Sequence, residues 1–92
     1  MRLRYSGPAV NDLTRLKEWV AAYNPKSAQR IARRIKQYAA QLKAFPLLGV
    51  CVDDRPDIRD LIIDDYIIRY QVDPENKIIR VLRIWHGKEN LR

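Results

Sequence analysis

The stretch Ile58–His86, IRDLIIDDYIIRYQVDPENKIIRVLRIWH, decides the fold of this chain. Three of its segments, 58–63, 66–72 and 78–85, are rich in β-branched and aromatic residues and are predicted to be strands. The breaks at 64–65 and 74–76 are turn sequences short enough to join neighbouring antiparallel strands. The stretch therefore predicts a three-stranded antiparallel meander.

The two-residue break at Asp64-Asp65 sets the register of the first two strands. It places Asp60 opposite Arg69, so a cross-strand ion pair is one interpretation of that arginine. One face of the second strand is apolar and carries Tyr66, Ile68, Tyr70 and Val72; the other carries Ile67, Arg69 and Gln71.

The register of the last strand is less constrained, and we take the one that pairs Val72 with Ile78. It places Leu82 and Ile84 on the apolar face. The opposite face receives Val81, Arg83 and Trp85, with His86 at the end of the strand. Because this face is mixed in character and we expect it to be uncovered, it is where we look for function.

The residues before this stretch predict a strand followed by a helical hairpin. Residues 2–6 alternate polar and apolar, and Ser6-Gly7-Pro8 is a typical helix start. The first helix has an apolar stripe at 13, 16, 20 and 23, and Asp12 lies near its N-terminus, where the helix dipole favours an acid. Asn24-Pro25 separates it from a second helix predicted over Pro25–Ala44. Residues 50–57 are predicted to be an acidic connection.

These elements predict an α+β domain over residues 1–92, with the hairpin covering one side of a four-stranded, mainly antiparallel sheet. No apolar run is long enough to span a membrane, and we expect a cytoplasmic protein. One cysteine, Cys51, and one histidine exclude a Cys/His zinc site, and no cofactor is expected. The net charge of +7 favours nucleic acid or an acidic protein as a partner.

Several motifs, in this order, resemble the RelE/ParE superfamily of bacterial toxins. They are Asn24-Pro25-Lys26-Ser27-Ala28, the Leu-x-x-x-Pro-x-x-Gly pattern at 42–49, Arg59-Asp60-Leu61, Tyr66-Ile67-Ile68-Arg69-Tyr70 and Val81-Leu82-Arg83-Ile84-Trp85-His86-Gly87. The resemblance implies the toxin of a type II toxin-antitoxin pair, associated with growth inhibition and plasmid stabilization and held inactive in a hetero-oligomer with a cognate antitoxin.

The resemblance also implies one of two targets. ParE-like members poison DNA gyrase, whereas RelE-like members cut mRNA in the ribosome. RelE-like nucleases typically carry lysines on the second strand, an arginine after the aromatic that opens the third, an arginine beyond the fourth, and a tyrosine near the C-terminus. Here the second strand holds Arg59 and Asp60, and Ile67 follows the aromatic that opens the third. Lys88 lies beyond the fourth strand, and no tyrosine follows Tyr70. The residue match therefore favours the ParE-like interpretation, a gyrase inhibitor.

The candidate target-binding residues are Arg59, Arg69, Arg83, Trp85, His86 and Lys88. If the protein is a nuclease, His86 would transfer protons while Arg83 and Lys88 stabilise phosphate charge. Some of these residues also have a purely structural interpretation: His86 satisfying a local hydrogen bond, Arg59 stacking on Tyr70. A third alternative is a non-toxic basic binding module on the same fold.

Overall fold

The computed structural model describes residues 1–89, which form two helices and five strands. In chain order these are β1 (Arg2–Tyr5), α1 (Gly7–Ala21), α2 (Pro25–Ala40) followed by a 3₁₀ turn (Gln41–Lys43), β2 (Val50–Val52), β3 (Arg55–Ile63), β4 (Tyr66–Asp73) and β5 (Ile78–His86). The strands make one sheet in the order β1-β5-β4-β3-β2. All neighbours are antiparallel except β1 and β5, which are parallel.

The predicted meander and its first register are confirmed. β3 and β4 pair through the Asp64-Asp65 turn, with Asp60 opposite Arg69 and Arg59 opposite Tyr70. Asp64 takes a left-handed backbone conformation (φ 54°), which an aspartate tolerates better than most residues in a tight turn.

The predicted register of β5 was wrong by one residue next to the turn and by two residues beyond a β-bulge in the ladder with β4. Val72 pairs with Ile79 rather than Ile78, and the register shifts again between Arg69 and Tyr70. Val81 therefore faces the core and is fully buried, while Leu82 lies at the bulge and is half-buried. Beyond the bulge Ile84 is buried and Arg83 and Trp85 lie on the opposite face, as predicted.

The predicted connection over 50–57 instead contains a fifth strand. Val50–Val52 is a short run with two β-branched residues, and it pairs antiparallel with β3 at the edge of the sheet. Asp53, with a φ of 49°, forms the turn between the two strands.

The helical hairpin covers one side of the sheet, as predicted. Its buried positions, Ala9, Leu13, Leu16, Ile35 and Ala39, join Leu61, Ile68, Tyr70, Val81 and Ile84 in one core. Two details differ from the sequence prediction: α2 ends at Ala40 and tightens into the 3₁₀ turn, and Tyr23 is 80% exposed and does not belong to the core. We call the other side of the sheet the open face. Within residues 1–89, neither helix has the length and apolar character needed to cross a membrane.

Candidate functional site

The open face carries a partly exposed apolar strip beside charged residues. Ile62, Ile67 and Trp85 lie in one row across β3, β4 and β5. Asp60, Arg69 and Arg83 form the next row, with Val50 of β2 beside Asp60. Ile62 and Val50 are more than 60% exposed, Ile62 on the inner strand β3 and Val50 on the edge strand β2.

Arg69 lies at the centre of this face and is already partnered. Its Nε and Nη2 donate to the two carboxylate oxygens of Asp60 at 2.9 and 3.0 Å, which confirms the predicted cross-strand pair. The guanidinium also lies 5.2 Å from the centroid of the Trp85 ring. The hydrogen bonds to Asp60 raise the pKa of Arg69. Arg69 therefore holds the indole in place and leaves little free charge on the face.

Arg83 reaches round the edge of β5 to a buried acid on α1. Its Nε and Nη2 donate to Asp12 at 2.8 and 3.1 Å, and the backbone N–H of Ile84 donates to the same carboxylate at 2.8 Å. β1 ends at Tyr5, so this part of β5 has no strand on its outer side, and Asp12 takes the place of a strand carbonyl. Arg83 is half-exposed, but its charge is paired.

Asp12 belongs to a larger ion cluster that joins α1 to β5 and to the residues after it. Arg15 contacts Asp12, donates to the Ile84 carbonyl at 3.0 Å, and binds Glu89 through Nε at 2.9 Å and Nη2 at 3.2 Å. Glu89 in turn accepts from the backbone N–H of His86 at 2.8 Å. We call Asp12, Arg15, Arg83 and Glu89 the ion cluster.

The cluster shifts the pKa of both of its acids in the same direction. Burial raises the pKa of Asp12, but hydrogen bonds from Arg83, Ile84 and Arg15 outweigh this effect and the pKa is lowered. Burial likewise raises the pKa of Glu89, and the hydrogen bonds from Arg15 and His86 lower it overall. The bond to Glu89, followed by that to Asp12, raises the pKa of Arg15. Both acids are therefore held in the charged form.

His86 lies on the helix-covered side rather than with the open face. β5 extends one residue further than predicted, so the alternation of the strand turns His86 toward α1. Its ring lies 4.8 Å from the ring centroids of both Trp19 and Tyr66. Nδ1 accepts the backbone N–H of Lys88 at 3.0 Å, while Nε2 is 3.9 Å from Asp65, too far for a hydrogen bond. This is the local, structural role that the sequence left open.

Arg59 faces the covered side and secures the loop before β2. Its Nη1 donates to the Gly49 carbonyl at 2.7 Å. The Tyr70 hydroxyl accepts from the Gly49 N–H and donates to the Pro46 carbonyl, both at 2.8 Å. A Cβ on Gly49 would lie 2.8 Å from the Asp60 carbonyl oxygen and from the Tyr70 ring. The Pro-x-x-Gly pattern is thus explained by contacts with Tyr70 and Arg59.

Only part of the predicted target-binding set comes together. Arg69, Trp85 and Arg83 share the open face, whereas Arg59 and His86 point to the other side. Lys88 follows β5 with an exposed side chain. Between residues 1 and 89 no group of three or more His, Cys, Asp or Glu side chains is arranged to hold a metal ion.

The ion cluster was not predicted from the sequence. The helix-dipole interpretation of Asp12 was wrong, because α1 begins at Gly7 and Asp12 lies beyond its first turn, only 2% exposed. One signal was available: Asp12 is next to the apolar stripe formed by Ala9, Leu13 and Leu16, where an acid is expected only if it has a buried partner.

Comparison with known proteins identifies relatives over nearly the full chain. The family described as the ParE toxin of type II toxin-antitoxin system, parDE, matches residues 3–91. Toxin RelE2 of Caulobacter vibrioides is 32% identical over 80 residues, which cover 86% of each chain.

Solved toxin structures share the fold. The chromosomal ParDE system from P. aeruginosa contains a chain with a TM-score of 0.82 at 22% identity, covering 96% of this chain and 97% of that one. The toxin-antitoxin complex RelBE2 from Mycobacterium tuberculosis has a TM-score of 0.71 at 23% identity, covering 92% and 95%.

Proposed function

The chain belongs to the ParE toxin family of type II toxin-antitoxin systems, and from this premise we propose that it inhibits DNA gyrase and is neutralised by a cognate antitoxin. The choice of gyrase over mRNA is supported by one observation. His86, the only histidine, and Arg83, the proposed phosphate-binding arginine, lie on opposite faces of the sheet.

RNA cleavage by a 2′-hydroxyl requires a base, an acid and cations around one phosphate. His86 is packed between Trp19 and Tyr66, and its Nδ1 is occupied by a backbone hydrogen bond. Arg83 is paired with Asp12. His86 is turned toward the helices and Arg83 is held by Asp12, so neither group is available to a phosphate bound on the open face. This arrangement disfavours the nuclease alternative.

The open face has the composition of a protein-binding surface instead. Its apolar residues, the exposed Val50 and Ile62 and the partly buried Trp85, surround an arginine whose charge is already paired. Aromatic and arginine side chains in an apolar surround are typical of the residues that dominate protein interfaces. We propose that this face contacts gyrase.

The antitoxin is proposed on separate grounds. The similar chains from P. aeruginosa and Mycobacterium tuberculosis come from toxin-antitoxin systems. Exposed apolar side chains on a small protein favour association with a partner. The resting form is proposed to be a hetero-oligomer of this chain with its antitoxin.

The test is inhibition of gyrase supercoiling by purified protein, with and without Trp85→Ala. Tyr23→Ala is the matched control, because Tyr23 is an aromatic residue at the end of the helical hairpin and is 80% exposed. We expect the unsubstituted protein and the Tyr23 variant to inhibit gyrase. The Trp85 variant should require at least about tenfold more protein, as expected for loss of an interface residue worth about 1.4 kcal/mol or more.

Two results would replace the proposal. Cleavage of mRNA only on translating ribosomes, abolished by His86→Ala or Arg83→Ala, would establish the nuclease alternative. Growth unaffected by expression without antitoxin would favour the non-toxic binding module. Equal inhibition by the Trp85 and Tyr23 variants would show that the open face does not contact gyrase.

A further inference from the structure

The solvent side of α2 carries a strip of positive charge that the proposed function does not use. Lys26, Arg30, Arg33 and Arg34 lie along it at helical spacing, and we call them the α2 stripe. All four are exposed. By helix geometry they occupy the side opposite the buried residues Ala28, Ala32, Ile35 and Ala39.

The stripe has no counterbalancing acids of its own. Between Glu18 and Asp53 the sequence contains six lysines and arginines and no aspartate or glutamate. Soluble helices usually place acids four residues from bases, because like charges at that spacing destabilise the helix by a few tenths of a kcal/mol per pair. Lys26 with Arg30, and Arg30 with Arg34, are two such like-charged pairs. A solubilising surface does not require this arrangement.

Only one residue of the stripe is paired within residues 1–89. Arg34 lies 3.1 Å from Asp64, and its guanidinium is 5.7 Å from the Tyr38 ring centroid. Arg30 and Arg33 form no ion pair with any described acid. With Arg34, Gln37, Tyr38 and Gln41 they line an open concavity of about 490 Å³.

The composition of this surface distinguishes between possible partners. An acidic amphipathic helix would need apolar residues to pack against, and the concavity offers only arginines, glutamines and Tyr38. Single-stranded nucleic acid would need free aromatic rings for base stacking, and the only ring here is half-buried and covered by Arg34. Duplex DNA needs neither, because its regularly spaced phosphates can be contacted by lysine and arginine side chains alone.

We propose that the α2 stripe binds the phosphate backbone of duplex DNA. From Lys26 to Arg34 the charges of the stripe extend about 12 Å along the helix, long enough to contact neighbouring phosphates of the backbone. The contact carries no sequence preference, because none of it involves the edges of bases. The proposal goes beyond gyrase inhibition and does not depend on it, since binding to free DNA is measured without gyrase.

The experiment is fluorescence anisotropy of a labelled 20-base-pair duplex at a series of salt concentrations. Arg30→Ala/Arg33→Ala is compared with Arg2→Ala/Arg4→Ala, which removes the same charge from exposed positions of β1. We expect binding by the unsubstituted protein. The α2 double variant should reduce the slope of log K against log salt by about 1.8, since each phosphate contact contributes about 0.9. The β1 double variant should keep the original slope.

Further measurements separate a specific surface from a change in folding or net charge. Arg30→Lys/Arg33→Lys keeps both charges and should retain binding, and urea unfolding checks that every variant is folded. No binding of the duplex, equal losses in the α2 and β1 variants, or tighter binding of single-stranded RNA of equal length would each overturn the proposal. A variant that loses DNA binding yet inhibits gyrase would contradict neither proposal. A protein that binds duplex DNA through the α2 stripe but does not inhibit gyrase would overturn the proposed function and support DNA binding.

Discussion

The ion cluster predicts that replacing Asp12 by alanine destabilises the fold more than any exposed substitution on α1. Asp12 is 2% exposed and accepts hydrogen bonds from the Ile84 amide and from the side chains of Arg15 and Arg83. Alanine removes every one of these acceptor atoms. The edge of β5 then has neither a strand nor a carboxylate on its outer side.

The magnitude follows from the separate contacts. A buried N–H left without an acceptor, here that of Ile84, costs about 1–3 kcal/mol. The two arginines are 34% and 48% exposed, so water can replace part of their interaction, and each pair contributes at most about 1 kcal/mol. We therefore expect a loss of about 3 kcal/mol for Asp12→Ala. Asp12→Asn keeps an acceptor for the Ile84 amide and should lose about 1–2 kcal/mol.

The same cluster predicts a dependence on pH. The pKa values of Asp12 and Glu89 are lower in the folded protein than their unfolded values of about 3.9 and 4.3. Their contribution to stability is therefore complete above about pH 5. It is lost as the pH falls through the unfolded-state values toward the lower folded-state pKa. The stability difference between the unsubstituted protein and Asp12→Asn should shrink over this range.

Urea unfolding followed by circular dichroism, at pH 7 and at intervals down to pH 3, measures both effects. Glu18→Ala is the matched control, because Glu18 is an exposed acid on the same helix with no ion pair among residues 1–89. A loss below about 1 kcal/mol for Asp12→Ala, or one equal to that of the control, would refute the reasoning. So would a difference between Asp12→Asn and the unsubstituted protein that is constant from pH 7 to pH 3.

Three further predictions concern contacts made by Gly49, Tyr70 and His86. Gly49→Ala should destabilise the protein by about 1–3 kcal/mol in thermal unfolding, because the new Cβ has no room beside Asp60 and Tyr70. Tyr70→Phe should lose a similar amount in urea unfolding, since Gly49 and Pro46 lose their buried partner; an unchanged midpoint would contradict this. His86→Phe should keep the aromatic packing and still inhibit gyrase. His86→Ala should lower the free energy of unfolding in urea by about 2 kcal/mol.

The sequence predicted those parts of the fold in which local pattern and tertiary structure agree. The Asp64-Asp65 turn leaves one register for β3 and β4, and the pairing of Asp60 with Arg69 follows from it. The helical hairpin was predictable because Ser6 and Asn24-Pro25 mark its starts and Ala28, Ile35 and Ala39 its buried side. Ser6 accepts from the Ala9 N–H at 3.1 Å, the cap that the sequence indicated.

The remaining parts depend on contacts between residues distant in sequence. The pairing of β4 with β5 follows a longer turn that leaves the register open, and its bulge has no local signature in the sequence. Asp12 is separated from Arg83 by 71 positions, so no spacing rule connects them. The role of Arg59 depends on its hydrogen bond to the carbonyl of Gly49, in the loop before β2. For the site, therefore, sequence indicated the face that Arg69, Arg83 and Trp85 occupy, but not the partner of Arg83 or the orientation of His86 toward the helices.

The bulge in β5 links the fold of the sheet to the position of the site residues. Ile79 and Val81 face the helices before it, and Ile84 and His86 face them after it, so the alternation changes phase at Leu82. Without that change, strict alternation from Val81 would place Arg83 and Trp85 beneath the helices. The Ser6 hydroxyl donates to the Leu82 carbonyl at 2.8 Å, so the residue that begins α1 also holds the bulge. The side chain that caps α1 therefore also contacts the bulge that places Arg83 and Trp85 on the open face.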